Sequence, residues 1–298
     1  MDTPETLIRT SEPPRLSVGK RLRTLWGHRE VLINLTRKEL KVKYKSSVLG
    51  IAWSMLNPLL YLAVFFVVFT FILPNRIPDF GIFLLSGLLA WTFFSTGLQG
   101  ATESVVLNGP LVTKVAFPRE ILPLAAVGSS LVNLGFQFLV LLATMLAFTY
   151  PFFGPQLLLL PLALVVLIVF TVAMGLLTSA LNVRYRDMSH LVQLALLAWF
   201  WVTPIIYHAH LLLDKSKEAG GLLIFRLYQA NPMVQIVMGF QRSLYGNRLL
   251  SDGRPILPDP GLYWYAVRLS IVGVAALVLL FATWRLFFRR SGDFAEEL

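Results

Sequence analysis

Six long apolar runs divide the chain, separated by short polar or proline-containing segments. A helix needs about 20 apolar residues to cross roughly 30 Å of hydrocarbon, and five of the six runs meet this easily. The fifth is the shortest; it carries no charged residue, and its tryptophan and tyrosine side chains suit a membrane interface. The pattern predicts an all-α membrane protein with six transmembrane helices in these runs: Val48–Leu73, Gly81–Val106, Ile121–Tyr150, Leu157–Leu181, Leu191–Tyr207 and Tyr265–Phe288.

Two shorter apolar stretches, Gly220–Phe225 and Pro232–Phe240, lie between the fifth and sixth runs. Joining them into one span would bury Arg226, and an arginine at a helix centre costs about 2.5–3.5 kcal/mol. Each Leu, Ile, Phe or Val contributes only about 0.3–0.6 kcal/mol, so the apolar gain would hardly offset that cost. We therefore expect re-entrant or surface helices before the last span, with a seventh or eighth span in 208–262 as the alternative.

A basic amphipathic helix is predicted between residues 16 and 45. Its apolar side chains fall roughly on one helical face and its basic side chains surround them: Leu22, Leu25, Leu32, Ile33 and Leu40, with Lys20, Arg21, Arg29, Lys38 and Lys41. This pattern is typical of a helix that lies on the inner leaflet of a membrane. A solvated basic tail is the alternative interpretation.

The composition agrees with a membrane protein, because 56% of the residues are hydrophobic, only 14% are charged, and mean hydropathy is +0.68. The net charge of +10 does not indicate nucleic-acid binding, since 11 of the 26 Lys and Arg residues precede the first apolar run. With both termini inside, the inner segments hold 18 of these basic residues and the outer segments hold 8. This asymmetry predicts a cytoplasmic N-terminus in the inner or plasma membrane. No cysteine is present, which excludes disulfides and thiolate metal sites.

The sequence contains no nucleotide-binding loop of its own, because no G-x-x-x-x-G-K-[ST] motif occurs and Gly19-Lys20 is followed by arginine. No apolar run has an acidic centre either, since Glu103, Glu120 and Asp187 all lie near run ends. This weakens, without excluding, a secondary transporter driven by an ion gradient.

Enzymatic patterns are sparse, and we expect neither a catalytic nor a metal site. His208, His210 and Asp214 have a spacing that metal ligands can adopt, but such a group is more often a polar loop at a membrane surface. A membrane-embedded lipid-linked sugar transferase remains an alternative function.

Two inner loops are candidate docking surfaces for a partner. In the first, Asn108-Gly109-Pro110 breaks the chain, then Leu111, Val112 and Val115 recur at helical spacing with Lys114 on the other side. An apolar stripe exposed to the cytoplasm is costly unless a partner covers it. The second loop is Arg184-Tyr185-Arg186-Asp187, for which anchoring by positive charge is the alternative interpretation.

Aromatic residues make up 13% of the chain and cluster in the apolar runs. Their faces can stack on sugars along a pore, although interface belts are their commoner use in membrane proteins.

Several short motifs resemble those of the ABC type-2 polysaccharide exporter permeases and follow in the family's order. They are Arg37 to Lys45 with Ser47 to Gly50 and Trp53 to Pro58, Phe117-Pro118-Arg119-Glu120, Arg186-Asp187, Thr203-Pro204-Ile205-Ile206-Tyr207, and Asn231-Pro232-Met233. The resemblance covers nearly the whole chain from about Leu22 and is closest to actinobacterial galactan exporters. The departures from the family's pattern are modest. This chain has Glu39, Lys43 and Thr203 where the family often has aspartate, arginine and serine, respectively.

The resemblance implies a homodimer that works with two copies of a separate ABC ATPase, which binds ATP and Mg, and exports a polyprenyl-pyrophosphate-linked polysaccharide such as O-antigen, teichoic acid or galactan. It implies a cytoplasmic segment at 1–48, a transmembrane domain at 49–288 and a cytoplasmic tail at 289–298. Residues 107–118 would form the coupling helix, 220–245 the re-entrant gate helices, and the first and fifth spans would border the channel. The implied channel and gate residues are Trp53, Asn57, Trp199, Trp201, Tyr207, Tyr228, Met233 and Phe240.

Overall fold

The computed structural model describes residues 18–43, 45, 47, 49–72, 77–151, 154–208, 228–250, 253–258 and 261–298. Over these residues the chain is helical and contains no strand, only a single bridge between Leu249 and Pro255. The described helices are α1 Val18–Gly27, α2 Arg29–Lys43, α3 Trp53–Val67, α4 Phe80–Leu107, α5 Gly109–Lys114, α6 Ile121–Ala147, α7 Leu159–Arg184, α8 Met188–Val202, α9 Pro232–Leu244, α10 Leu262–Arg290 and α11 Phe294–Glu297.

Among the described residues, four helices are long and apolar enough to cross a membrane: Phe80–Leu107, Ile121–Ala147, Pro155–Arg184 and Leu262–Arg290. They correspond to the predicted second, third, fourth and sixth runs, and the predicted all-α class is confirmed for the described residues. Because these helices are apolar around much of their circumference, the chain is a multi-pass membrane protein. Helix α4 lies at the centre, packed against α6 and α7, while α7 also packs along α10.

The first and fifth predicted runs form shorter α-helices. Helix α3 has 15 residues and continues as a π-helix of five residues, Val68–Ile72. Helix α8 also has 15 residues, so it is about 22 Å long and shorter than the hydrocarbon layer. The prediction of one run to Tyr207 is wrong at its end, because the chain becomes extended at Thr203 and bends through 203–207. Pro204 explains the end of α8, since proline has no N–H to donate and disfavours a helical residue before it.

The segment before the last span contains α9, which is too short to span a membrane at 13 residues. Its start is capped by Asn231, whose side chain accepts a hydrogen bond from the Met233 N–H. Nearly every side chain of α9 is buried, and Gln241 donates to the Pro204 carbonyl at 2.8 Å. Most apolar side chains of α9 belong to the main core, which explains how so short a helix is kept inside the bundle. The predicted stretch 220–225, like His210 and Asp214, lies outside the described residues.

The predicted amphipathic segment forms two helices, α1 and α2, separated at His28. Helix α2 has no buried residue and lies along α6. The contact is close at Gly128, where a Cβ atom would lie 3.1 Å from Thr36 Oγ1. The segment is therefore attached to the bundle along part of its length as well as being amphipathic.

The bundle has two chemically different ends. The α5 end contains α1, α5, α11, the beginning of α6 and the last turns of α7 and α10, joined by a small apolar cluster. The α9 end contains residues 77–79, Tyr150 and Tyr245, which are joined by two tyrosine hydrogen bonds. The Tyr245 hydroxyl donates to the Pro78 carbonyl at 2.7 Å, and the Tyr150 hydroxyl donates to the Tyr245 carbonyl at 2.5 Å.

Candidate functional site

A cavity of about 610 Å³ opens between α3, α4, α6 and α8. One of its walls is polar although it lies within predicted membrane spans. Helix α4 contributes hydroxyl and amide side chains that recur every three or four residues, and α6 and α8 contribute further amides: Thr92, Ser95, Thr96 and Gln99, with Asn133, Gln137 and Gln193. This recurrence places the α4 residues on one helical face. The cavity is the candidate functional site.

The polar wall is held together by hydrogen bonds between helices. Thr92 Oγ1 lies 2.6 Å from Gln137 Oε1, and Thr96 Oγ1 lies 3.3 Å from Ser130 Oγ. Gln99 donates to Glu103 one turn further along α4. Hydroxyl and amide groups both donate and accept, so this wall can exchange hydrogen bonds with a hydroxyl-rich ligand.

The remaining lining is largely aromatic. It comprises Trp53, Tyr61 and Phe65 of α3, Trp91 of α4, and Phe200 and Trp201 of α8. The Trp91 and Phe200 rings meet edge to face at 5.6 Å, and so do the Phe200 and Trp201 rings at 5.6 Å. Aromatic side chains supply large rigid apolar faces. Together the two walls offer hydrogen-bonding groups and apolar faces to one occupant.

Lys43, the last residue of α2, is the one charged side chain among the described residues that line the cavity. Burial lowers the pKa of its ammonium group, because a low-dielectric environment disfavours the charged form. The other described residues that line the cavity are uncharged.

Two of the predicted channel residues, Trp53 and Trp201, line this cavity. Tyr207 lies close by, and its hydroxyl donates to the Trp201 carbonyl at 3.1 Å. The side chain of Asn57 lies outside the described residues.

The other predicted channel and gate residues pack inside the bundle of this chain. Met233 and Phe240 are buried in the main core, and Tyr228 is buried in a smaller cluster. Trp199 packs edge to face on Phe94 at 5.2 Å, and its indole N–H donates to Asn231 Oδ1 at 2.9 Å. Because α9 is surrounded by long helices, its aromatic and sulfur-containing side chains fill the core.

Helix α5 is the first candidate docking surface, and Val112 within it differs in exposure from Val115, the residue that directly follows it. Val115 is 51% exposed, whereas Val112 is 3% exposed. The prediction of one exposed apolar stripe is therefore wrong for Val112, because it is buried in an apolar cluster that includes side chains of α10 and α11. The exposed surface consists of Pro110, Thr113, Lys114 and Val115, with Gly109 and Leu111 partly covered.

The two ends of α5 are tied to the amphipathic segment. Asn108, which precedes α5, is buried and accepts a 2.6 Å hydrogen bond from Lys38 Nζ on α2. Beyond α5, the Glu120 side chain is 1% exposed and accepts two 2.9 Å hydrogen bonds from Arg21 on α1. The Trp284 indole N–H donates to the same carboxylate at 3.3 Å. The residues that flank α5 are thus in direct contact with α1, α2 and α10.

The second predicted docking loop, 184–187, is exposed throughout. The Arg184 guanidinium lies 5.6 Å from the centre of the Tyr185 ring, while Arg186 and Asp187 form the turn into α8. The loop follows Val183, which belongs to the same apolar cluster as Val112. The fold therefore brings both candidate docking loops to the α5 end.

The polar wall of the cavity is not among the predicted site residues. Its side chains are uncharged hydroxyls and amides, which do not stand out in an apolar run as ionisable residues do. The signal was nevertheless present, since Thr92, Ser95, Thr96, Gln99 and Glu103 form a polar stripe at helical spacing in an otherwise apolar run.

Comparison with known proteins identifies a family and several relatives. Residues 30–245 match the ABC-2 type transporter family. The chain is 32% identical over 278 residues to the O-antigen export system permease protein RfbA of Myxococcus xanthus, covering 93% of this chain and 98% of the relative. It is 29% identical over 250 residues to RfbA of Klebsiella pneumoniae, covering 83% and 90%. The polysialic acid transport protein KpsM of Escherichia coli is 23% identical over 203 residues, covering 67% and 75%.

Proposed function

Because the chain belongs to the ABC-2 type transporter family, we propose that it is the membrane permease of an ATP-driven exporter of a lipid-linked polysaccharide. The names of its relatives, O-antigen export permease and polysialic acid transport protein, support a polysaccharide as cargo. The observation that carries the proposal is the cavity between α3, α4, α6 and α8.

The lining of this cavity suits a glycan. Sugars carry many hydroxyl groups, which the amide and hydroxyl wall on α4 and α6 can satisfy. The aromatic wall offers flat apolar faces on which sugar rings stack. Both kinds of contact tolerate different sugars, which suits a polymer of O-antigen, teichoic acid or galactan type that slides past them. A polyprenyl pyrophosphate carries this polymer.

The channel is completed by a second copy of the chain. Helices α3 and α8, which flank the cavity, both expose apolar side chains, including Val64, Leu194 and Trp201. Lipid could cover these side chains, but it offers no hydrogen bond to wall atoms that lack a partner among the described residues, such as Gln99 Oε1, and such groups are costly in hydrocarbon. A homodimer that joins two such cavities covers the wall and creates one channel.

The energy comes from a separate ABC ATPase, present in two copies, which binds ATP and Mg. This chain contributes the docking surface, namely the exposed side of α5 with the 184–187 loop beside it. We place the α5 end in the cytoplasm, since α1, α2 and the basic residues of three inner segments gather there: Lys114, Arg119, Arg184, Arg186, Arg285, Arg289 and Arg290. This orientation follows the excess of positive charge in cytoplasmic segments.

Six spans follow in this arrangement, with both termini cytoplasmic. The first is α3 with its π-helix, and the fifth is α8 with the bent residues 203–207. The other four are the long helices. Helix α9 is then part of a re-entrant gate at the outer mouth, where its hydrogen bond to Pro204 links it to the fifth span.

The docking surface is tested by placing a charge on the exposed side of α5. Val115→Asp should abolish retention of the ATPase by the affinity-tagged permease, because the valine is exposed where the partner would cover it. The matched control is Leu249→Asp, since Leu249 is 56% exposed at the opposite end of the bundle. Full retention of the ATPase by Val115→Asp would contradict docking through α5.

The energy source and the cargo are tested in liposomes that contain the permease and its ATPase. Export of lipid-linked glycan should require ATP and persist with a protonophore. Arrest by the protonophore while ATP remains would indicate a gradient-driven carrier instead. In cells depleted of the permease, finished lipid-linked glycan should accumulate on the inner face; accumulation of unextended acceptor would indicate a sugar transferase.

A further inference from the structure

The last described helix, α11, packs against α5 and α7. Phe294 is 1% exposed, and its ring meets the Phe287 ring of α10 edge to face at 5.3 Å. The neighbouring Glu296 and Glu297 are exposed. The predicted tail therefore has one side inside the protein and one side in water.

Phe294 belongs to an apolar group that we name the α5 cluster. The cluster contains Val105 of α4, Val112 of α5, Leu122 of α6, Leu176, Ala180 and Val183 of α7, Phe287 of α10 and Phe294 of α11. It therefore joins α5 to all four long helices at one point. Phe294 is a buried member of this cluster, and the partly buried Leu298 packs against it.

Leu298 also approaches the beginning of α5. A Cβ atom at Gly109 would lie 4.0 Å from the Leu298 Cβ atom. The turn before α11 is held as well, since Arg119 Nη1 donates to the Gly292 carbonyl at 3.4 Å. Helix α11 thus packs against α5, with Leu298 close to Gly109 and Phe294 in the cluster that buries Val112.

We propose that α11 is a positioning element for α5, which keeps α5 seated on the four long helices throughout the transport cycle. Phe294 and Leu298 are its positioning residues. The proposal rests on the proposed function in one respect, because it assumes that the partner ATPase pushes on the exposed side of α5. A push on that side then moves the ends of α4, α6, α7 and α10 together, since α5 cannot tilt away from the α5 cluster.

A cross-link tests whether α11 stays on α5. The chain has no native cysteine, and the 4.0 Å separation at Gly109 and Leu298 lies within the roughly 3.5–4.5 Å that a disulfide requires between Cβ atoms. Gly109→Cys with Leu298→Cys should form a disulfide in membranes under mild oxidation. The oxidised protein should export glycan with its ATPase as fast as the reduced protein does. Failure to cross-link, or export that stops on oxidation and returns on reduction, would overturn the proposal.

A second experiment separates positioning from general packing. Phe294→Ala should lower the glycan exported per ATP hydrolysed by roughly fivefold or more, the lower end of typical coupling effects. It should also speed amide hydrogen exchange in residues 109–114, while Phe294→Leu restores both values. Glu297→Ala is the control, since this side chain is exposed. A Phe294→Ala protein that is only less abundant, with unchanged export per ATP and unchanged exchange, would overturn the proposal.

The outcomes are distinguishable from failure of the proposed function. If the wild-type chain with its ATPase exports no glycan, the proposed function fails, whereas cross-linking and hydrogen exchange still decide whether α11 holds α5. If the wild-type assembly exports glycan and the Phe294→Ala assembly does so equally well per ATP, only the role of α11 fails.

Discussion

Replacement of Arg21 by leucine should destabilise the protein strongly, because it leaves a buried carboxylate without its main partner. Arg21 Nε and Nη2 each donate to Glu120 at 2.9 Å, and the Glu120 side chain is 1% exposed. Among the described residues, the Trp284 indole remains as a donor to the carboxylate after the substitution, at the longer distance of 3.3 Å. Breaking a buried ion pair by removing one partner costs about 3–5 kcal/mol. Since Arg21 retains 24% exposure, we expect the lower end, about 3 kcal/mol.

The assay is reversible unfolding in mixed detergent micelles, followed by tryptophan fluorescence. The control is Arg23→Leu, because Arg23 lies one half-turn away on α1 and is exposed, so its replacement should change the free energy of unfolding by about 0.5 kcal/mol or less. The double variant Arg21→Leu with Glu120→Leu should be more stable than Arg21→Leu alone, since it removes the unpaired charge. Equal effects of Arg21→Leu and Arg23→Leu, or a double variant less stable than Arg21→Leu, would refute the reasoning.

Three further predictions address the cavity, the central helix contact and the α9 end. Thr92→Val with Gln137→Leu removes the 2.6 Å contact in the polar wall and should slow glycan export about fivefold at unchanged ATPase retention; unaltered export would contradict a role for that wall. Gly175→Ala should cost about 1–3 kcal/mol in unfolding free energy, since its Cβ would lie 2.7 Å from the Ala101 Cβ, and Ala101→Gly should restore stability; absence of rescue would contradict this contact. Tyr245→Phe removes the donor to the Pro78 carbonyl and should cost about 1 kcal/mol by the same assay, so an unchanged unfolding midpoint would show that this hydrogen bond does not stabilise the α9 end.

The sequence predicted the long helices closely because a membrane span is a local property. An uninterrupted apolar run of sufficient length can satisfy its own backbone hydrogen bonds and needs no distant partner to be recognised. The run Gly81–Val106 became Phe80–Leu107, and the run Tyr265–Phe288 lies within Leu262–Arg290. The motif order likewise sufficed for the family, which the match over residues 30–245 confirms.

The end of α8 before Thr203 could have been predicted from the sequence, because Pro204 follows directly. The apolar run continues to Tyr207, while Pro204 ends the helix by removing a backbone donor. The polar stripe on α4 is a similar case. Its helical spacing can be read in the sequence, but the surface that it faces cannot. A stripe of hydroxyl and amide residues can face a neighbouring helix, a cavity or a second chain, and only the positions of α3, α6 and α8 placed it on a cavity.

Only the tertiary structure decided which side chains are covered and by what. Val112 is buried in a cluster that contains Phe287 and Phe294, more than 170 positions later, and Glu120 is paired with a residue 99 positions earlier. Met233 and Phe240 are in the core because four other elements surround α9. The physical reason is that helical periodicity defines which residues share a face. Which neighbour covers that face depends on how the helices assemble. The periodicity within one helix does not identify the distant segment that packs against it.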